Sequence, residues 1–510
     1  MSSEGFARIP ALLARGPFDG IRVHVETSLR RGLPGMQITG MNRAAARETV
    51  ERLRSAIHHC GWRLPVASLT INVAPADVPK NGAYFDLSLM ACIVQALGLA
   101  PPIAVENAPL FLGEVSLSGE VLPIAGLQSI LLTARKLRFR RVVVPACQTG
   151  FVYSELGLSV AGVQHVQEIA HSLRFAPASA EGQIQGYREP GRLSHLQLEP
   201  GVRRALALAA AGWHSLLLVG PPGTGKTTAG RELPGLMPVP DAEECLEIIT
   251  LSGLEIPPAT ESSSAKLTVT RPLRSPHHSV TRAALIGGGH ELRAGEVTRA
   301  HHGVLLLDEL AEFRREALQA LREPVETGSV DLSRGAAHNR LPARFLLVAT
   351  ANPCPCGYFR SSMRQCTCPP QSRQNYLSRL LGPLRDRIEL EVRVETNVAN
   401  HGPLATEDLL VRVDAAVRVQ RERYRDERFR FNGEVPFQRL ETLVPLEDPD
   451  TREVWHALAS RPELTRRGLA SARRLSRTLA DLDASPVIRA NHIVEAARFR
   501  CLDEYVQDDF

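Results

Sequence analysis

The period of the hydrophobic positions changes several times along the chain, and each change marks an element. In Ile21-Arg22-Val23-His24-Val25-Glu26 apolar and polar residues alternate, the signature of a strand with one buried face. From 43 to 59 the apolar positions Val50, Leu53 and Ile57 recur three and four apart, which predicts an amphipathic helix stopped by Gly61. Residues 68–73 read as another strand, 87–97 as a helix after Asp86, and 113–123 as a hairpin that turns at Ser118-Gly119. The pattern weakens from 157 to about 192, where a boundary is expected. An alanine-rich stretch, 202–211, then predicts a helix feeding the apolar run 215–219. Two more runs, 304–307 and 344–351, lack alternation, as expected of strands covered on both faces of a parallel sheet. Near the end, Leu469, Ala472, Leu475, Leu479 and Leu482 share one side of a helix.

Composition adds bounds to this pattern. At 510 residues, 44% apolar and 23% charged, the chain has the make-up of a globular protein. It is long enough for about three domains. A net charge of +5 is small for this length, so a nucleic-acid surface would have to be a local patch. Residues 2–20 lack the basic start and apolar core of a signal peptide. The long uncharged stretch 87–105 contains Gln95 and breaks at Pro101-Pro102, which reads as a buried helix and not a membrane span. Five of the nine cysteines (Cys60, Cys92, Cys147, Cys245, Cys501) are scattered, as in a reducing compartment, and a cytoplasmic location is expected.

Chemistry enters where the run 215–219 ends in Gly220-Pro221-Pro222-Gly223-Thr224-Gly225-Lys226-Thr227. This meets every fixed position of G-x-x-x-x-G-K-[ST] between a strand and a helix. Backbone N–H groups in such a turn converge on an anion, and the helix N-terminus adds a favourable dipole. Lys226 would reach the β- and γ-phosphates and the Thr227 hydroxyl would ligate Mg²⁺, so ATP and Mg²⁺ are the expected cofactors. Asp308 and Glu309 close the run 304–307. At the end of a buried parallel strand Asp308 can hold the metal shell, while Glu309 polarises the attacking water. Asn352 ends the next run, where its amide can hydrogen-bond the water or the γ-phosphate. Cys354-Pro355-Cys356 and Cys366-Thr367-Cys368 gather four thiols, a set suited to a tetrahedral Zn²⁺. Unliganded thiols and a redox pair are the alternatives this spacing leaves open.

Several phrases carry a family resemblance. They are Arg271-Pro272-Leu273-Arg274-Ser275-Pro276-His277-His278-Ser279, Gly287-Gly288-Gly289, Gly295-Glu296-Val297, the block 302–313, Leu321-Arg322-Glu323-Pro324-Val325-Glu326 and Asn352-Pro353-Cys354-Pro355-Cys356-Gly357. The chain resembles the ComM/YifB family of magnesium-chelatase-like AAA+ ATPases from about 20 to 500. Gly32-Leu33-Pro34-Gly35, the stretch 73–82 and the stretch 113–126 are similar to the Lon-type protease domain found in that family. A working Lon peptidase needs a serine nucleophile and a lysine base where this chain has Tyr84 and Gln128. The resemblance thus implies a retained fold without proteolysis.

The implied fold class is α/β, an AAA+ P-loop parallel sheet with a helical lid, preceded by a Lon-protease-like α+β domain. The expected divisions are 1–175 for the Lon-like domain, 176–195 for a linker, 196–395 for the ATPase core and 396–510 for the lid. The resemblance also implies a homo-oligomeric ring, a hexamer, in which an arginine of one subunit completes the site of the next. Arg387 matches that position, with Arg379 as second candidate, and Arg467 matches the lid arginine called sensor 2. Asn352 matches sensor 1. Family members act in branch migration of DNA during natural transformation, which implies single-stranded or branched DNA and recombination proteins as partners, and no membrane.

Two insertions, 251–290 with Arg271, Arg274, His277, His278 and Arg282, and a hairpin from Glu326 through Arg340, are the expected DNA-facing segments. His277 and His278 read equally as hydrogen-bonded loop residues. The arginine-rich helix 412–430 reads first as solvated pairing with Asp414, Glu422, Asp426 and Glu427, and second as DNA contact. A protein-remodelling motor is the competing function, and an ATP-dependent protease is disfavoured by Tyr84 and Gln128.

Overall fold

The computed structural model of the chain describes residues 5–16, 18–75, 83–100, 104–149, 157–171, 184–189, 198–252, 267–288, 293–334, 337–362, 364–380, 382, 384–395, 406–461 and 464–499. The chain divides into two compact units, one of 1–185 with 245–269, the other of 186–244 with 270–510.

In the first unit the strands Gly5–Gly16 and Asp19–Arg30 form an antiparallel pair. The sheet continues through Ser68–Ala74 to Gly35–Thr39, the last pair parallel. The expected strand at 21–26 is therefore longer than its alternation, because pairing with 5–16 extends it. That partner went unread for a physical reason. Ala11 and Leu13 pack in one apolar core while Leu12 packs in another, so the second half of the strand is covered on both sides and does not alternate, whereas Phe6 and Arg8 in its first half are exposed. The helices Arg43–His59 and Asp86–Ala96 bury Leu53, Ile57, Leu89 and Ile93 with Ile9, Val25 and Ile71. A second, parallel sheet is made by Leu110–Phe111, Arg141–Pro145 and Ser159–Val163.

Leu246, Ile249 and Val269 share the core of Leu127, Leu131 and Val142, which is why 245–269, read from sequence as part of the ATPase core and its first insertion, cluster with this unit. Tyr84 stacks on Phe85 at 4.6 Å, and its hydroxyl accepts the Ala14 N–H at 3.1 Å. Burial pushes that phenol up to about 12. Gln128 is half-buried near the start of the Leu127–Lys136 helix. Residues 76–82 of the Lon-like resemblance lie outside the described residues.

The second unit is built on five strands, each parallel to its neighbours, in the order Leu273–Arg274, Val304–Leu307, Leu346–Ala351, Leu216–Val219, Leu390–Arg393. Alternate side chains feed two cores. Leu216, Leu218, Leu306 and Val348 pack with Leu206, Val413 and Leu479, whereas Leu217, Leu305, Leu307 and Leu347 pack with Leu285, Leu318 and Leu377. Both faces are covered, which explains the unbroken apolar runs.

Toward the carboxyl end stand the helices Thr406–Arg423, Pro449–Ala459, Arg466–Leu482 and Ala490–Ala497. The helix that carries Arg467 is capped by Thr465, whose side chain accepts the Gly468 N–H at 3.1 Å. The arginine-rich stretch 412–430 is helical only to Arg423, and its charges pair across elements more than along the helix. Arg423 grips the buried Asp481 with two hydrogen bonds, Arg412 meets Asp483 at 2.8 Å, and Asp414 is held by Arg188. Arg425 and Glu422 form the one expected local pair, at 3.2 Å.

Candidate active site

The strand Leu216–Val219 delivers the phosphate loop to the carboxyl end of the sheet, and the helix Lys226–Glu232 leaves it. Gly223 and Gly225 take φ of +80° and +82°, values that side chains resist. At Gly220 a Cβ would stand 2.2 Å from the Val394 carbonyl oxygen, so the loop can leave the sheet only as glycine. Thr224 donates its hydroxyl to the Pro221 carbonyl at 3.0 Å and closes the turn. Lys226, 8% exposed, donates to the carbonyls of Gly220 (2.7 Å) and Pro221 (2.6 Å) and approaches Asn352 Oδ1 at 3.4 Å. Burial lowers its ammonium from 10.5 to about 8, against the pull of Asp308 and Glu309.

Asp308 is the meeting point of the site. Its Oδ1 accepts the Thr227 hydroxyl at 2.8 Å and the Thr350 hydroxyl at 2.6 Å. Thr350 in turn accepts the Glu309 N–H at 3.1 Å. Glu309 is exposed, and its backbone is left-handed, φ 58° and ψ 58°. For a residue with a side chain that conformation costs roughly 1–3 kcal/mol and is typical of sites under functional constraint. Asn352 follows the strand Leu346–Ala351, and its backbone lies near enough to the buried Tyr376 to pull down a phenol that burial raises to about 12. Phosphate loop, Asp308, Glu309 and Asn352 thus stand together at one end of the sheet. Strand, turn and helix order in the sequence placed them there, because parallel strands put their carboxyl ends side by side.

Two neighbours of these residues left almost no sequence signal: Thr350 is a lone hydroxyl in an apolar run, and Tyr376 is one aromatic in a polar helix. The donor set fits a magnesium nucleotide: a glycine cradle of N–H groups, a buried ammonium, and a hydroxyl paired with a carboxylate.

The two expected arginines are elsewhere. Arg387 precedes the strand Leu390–Arg393, and its carbonyl accepts the Ser215 hydroxyl, so it lies at the amino end of the sheet. Four residues of strand separate that end from the phosphate loop, about 13 Å. Its side chain meets Glu326 at 2.8 Å and the Arg322 carbonyl at 3.2 Å. Arg467, half-exposed, approaches the same Glu326 at 3.4 Å. Arg379 is exposed in the last turn of the helix Pro370–Leu380. Beside Arg387 and Glu326 opens a cleft of about 950 Å³ lined also by Arg282, Arg322, Glu323 and Asp331.

The expected DNA-facing residues divide. Arg271 is 5% exposed, bonded to Glu244 and to the carbonyls of Pro238 and His302, so it braces the interior and cannot meet a ligand. Arg274 pairs with Glu296. His277 bonds Ser279 and stands 4.0 Å from the His278 ring, while Arg282 is exposed. Residues 253–266 and 289–290 of this insertion lie outside the described residues. The second segment begins later than expected: Glu326 and Thr327 belong to the helix Arg322–Thr327, and the hairpin pairs Ser329–Arg334 with Ala337–Pro342. Val330, Leu332 and Leu341 turn inward, and Arg340 is largely exposed. All four clustered cysteines have sulfur atoms within 4.8 Å of one another. Among the described residues no helix is long and apolar enough to cross a membrane.

Comparison with known proteins gives consistent matches along most of the chain. The sequence model of "Magnesium chelatase, subunit ChlI" matches 193–401, that of "Subunit ChlI of Mg-chelatase" matches 25–148, and the ChlI C-terminal model matches 404–500. An uncharacterized protein of Mycobacterium tuberculosis is 35% identical over 490 residues, covering 94% of this chain and 96% of its own length. The uncharacterized protein YifB of Escherichia coli is 33% identical, covering 94% of each. Competence protein ComM of Haemophilus influenzae is 31% identical, covering 95% and 96%. A Lon protease of Geobacter metallireducens is 27% identical over 140 residues, 26% of this chain and 17% of its own.

Proposed function

The chain belongs to the ComM/YifB family of magnesium-chelatase-like AAA+ ATPases, and on that premise we propose that it is a ring-forming motor that spends ATP hydrolysis on moving along DNA. In this reading it acts on single-stranded or branched DNA as a helicase or branch-migration factor in homologous recombination and natural transformation, alongside recombination proteins and in the cytoplasm. The ring is a hexamer, and the first unit is a Lon-like domain without peptidase activity, its expected nucleophile position filled by the packed Tyr84.

The observation that carries the motor is the polarity of the sheet. Arg387 stands at the amino end and the phosphate loop at the carboxyl end, so this arginine can complete a site only in another copy. Bound Mg²⁺ would supply neutralisation of phosphate charge. Thr227 and Asp308 would hold it, Lys226 would balance phosphate charge, Glu309 would take the proton of the attacking water, and Asn352 would orient that water. Arg387 of a neighbouring copy would stabilise the transferring group, a contribution of about 10³–10⁵ in rate. Arg467 would report nucleotide state to the lid. The exposed Arg340 on the hairpin follows the phosphate chain without reading bases. Cys354, Cys356, Cys366 and Cys368 would hold a structural Zn²⁺.

ATP turnover measured with single-stranded, duplex and forked DNA, then strand displacement on the fork, tests the proposal. Stimulation and displacement that grow as salt is lowered are expected, and their absence across the salt series would sink it. A protein-remodelling motor is the second reading, favoured by the chelatase models that match all three segments. It would turn over ATP without any response to DNA.

A further inference from the structure

The loop 352–369 joins Asn352 to the helix Pro370–Leu380, and its four cysteines converge. Sulfur separations are 3.3 Å for Cys354 to Cys356, 3.7 Å for Cys354 to Cys366 and 3.6 Å for Cys356 to Cys366. Four sulfurs each 2.3 Å from a tetrahedral centre stand about 3.8 Å apart. The separations among Cys354, Cys356 and Cys366 approach that figure, and the Cys368 sulfur lies within 4.8 Å of the other three. The sulfurs also receive backbone N–H groups: Phe359 to Cys354 at 3.2 Å, Cys356 to Cys368 at 3.3 Å and Cys368 to Cys366 at 3.4 Å. Donors aimed at sulfur favour thiolate, the form that binds metal.

What the loop touches gives the site a task. Gly357 has φ +84°, and a Cβ there would stand 2.8 Å from Pro222 Cδ and 3.8 Å from Asn352 Cγ. The backbone between the two cysteine pairs therefore lies directly on the phosphate loop. The second pair is tied to the following helix, where Arg373 donates to the Cys368 carbonyl at 3.0 Å and covers the Phe359 ring at 4.6 Å. One turn further along that helix lies the buried Tyr376, whose phenol is pushed up to about 12 by burial while the nearby Asn352 backbone pulls it down.

We propose that Cys354, Cys356, Cys366 and Cys368 bind one Zn²⁺ and that this ion is a brace for catalysis, pinning Gly357 against Pro222 and fixing Asn352 from both ends of its loop. The cysteines are positioning residues: the ion touches no substrate, yet its loss frees the turn that shapes the phosphate site. This inference rests on the reading of the phosphate loop and Asn352 as the nucleotide site.

The full-length protein purified without chelator is expected to carry one zinc per chain. Replacing the zinc by Co²⁺ should produce the intense visible bands of a tetrahedral thiolate site. A protein with neither signal overturns the metal site. Cys366→Ser with Cys368→Ser should lose the metal, and both its affinity for a fluorescent ATP analogue and its turnover should fall about 10-fold, while Cys368→His keeps them. Because the serine variant could unfold, the wild-type protein is also stripped by chelator and restored with Zn²⁺, which should recover affinity. Zinc-free protein with undiminished affinity and turnover overturns the brace. Zinc-loaded protein that binds no nucleotide overturns the brace together with the site reading it rests on, and leaves the metal site standing.

Discussion

Asp308 takes two hydroxyls on one oxygen, and the difference between them separates what spacing reveals from what contact reveals. Thr227 belongs to a motif, whereas Thr350 is recognisable only because the two strands adjoin. Thr350→Val keeps the shape and leaves both the Asp308 carboxylate and the Glu309 N–H without that partner, at a cost of about 1–3 kcal/mol. We expect turnover to fall about 10-fold with little change in ATP affinity, checked by steady-state kinetics alongside thermal melting. Lys226 makes a pH prediction. Burial lowers its folded-state value from 10.5 to about 8, and phosphate binds the charged form. Below pH 8 the lysine is already protonated and affinity is flat. Above it, binding must take up a proton, and affinity should fall toward about 10-fold per pH unit. Calorimetry in buffers of different ionisation enthalpy measures that uptake, and affinity independent of pH from 7 to 9 would contradict it.

At the scale of elements, periodicity served where one face of an element is wet. The helices at 43–59 and 466–482 match the sequence reading closely, since their apolar positions lie on one side. The second half of strand 5–16 has two cores around it and so no alternation to read. The hairpin 329–342 was legible as a turn, but its start was not, because Glu326 and Thr327 end a helix that Gly328 (φ +67°) terminates. Arg340→Ala on this hairpin removes a charge that, among the described residues, bonds Ser329 at 3.0 Å and stands 4.0 Å from Asp331. We expect unaltered ATP turnover without DNA, weaker DNA binding, and a salt dependence shallower by about one counterion, read from binding isotherms across a salt series.

For the whole molecule, the division of labour between copies is the sharpest expectation. Lys226→Ala removes the phosphate contact and Arg387→Ala the group offered to a neighbour. Each variant alone should be nearly inactive, Arg387→Ala still binding ATP. A mixture of the two should regain turnover, since some interfaces then pair an intact loop with an intact arginine. Titrating one variant into the other reads this directly, and a mixture no more active than its parts would place the arginine elsewhere.

By itself the sequence determined the nucleotide chemistry, the parallel sheet and the family, because those depend on local order: strand, glycine turn, helix, and acids at a strand end. Contacts between distant residues it could not supply. Only the tertiary structure buried Arg271 against Glu244, set Arg387 and Arg467 on the same Glu326, and laid Gly357 on Pro222. It did so because burial and ion pairing are decided by whichever elements the fold brings together, and an exposed arginine and a buried one look alike until their neighbours are known.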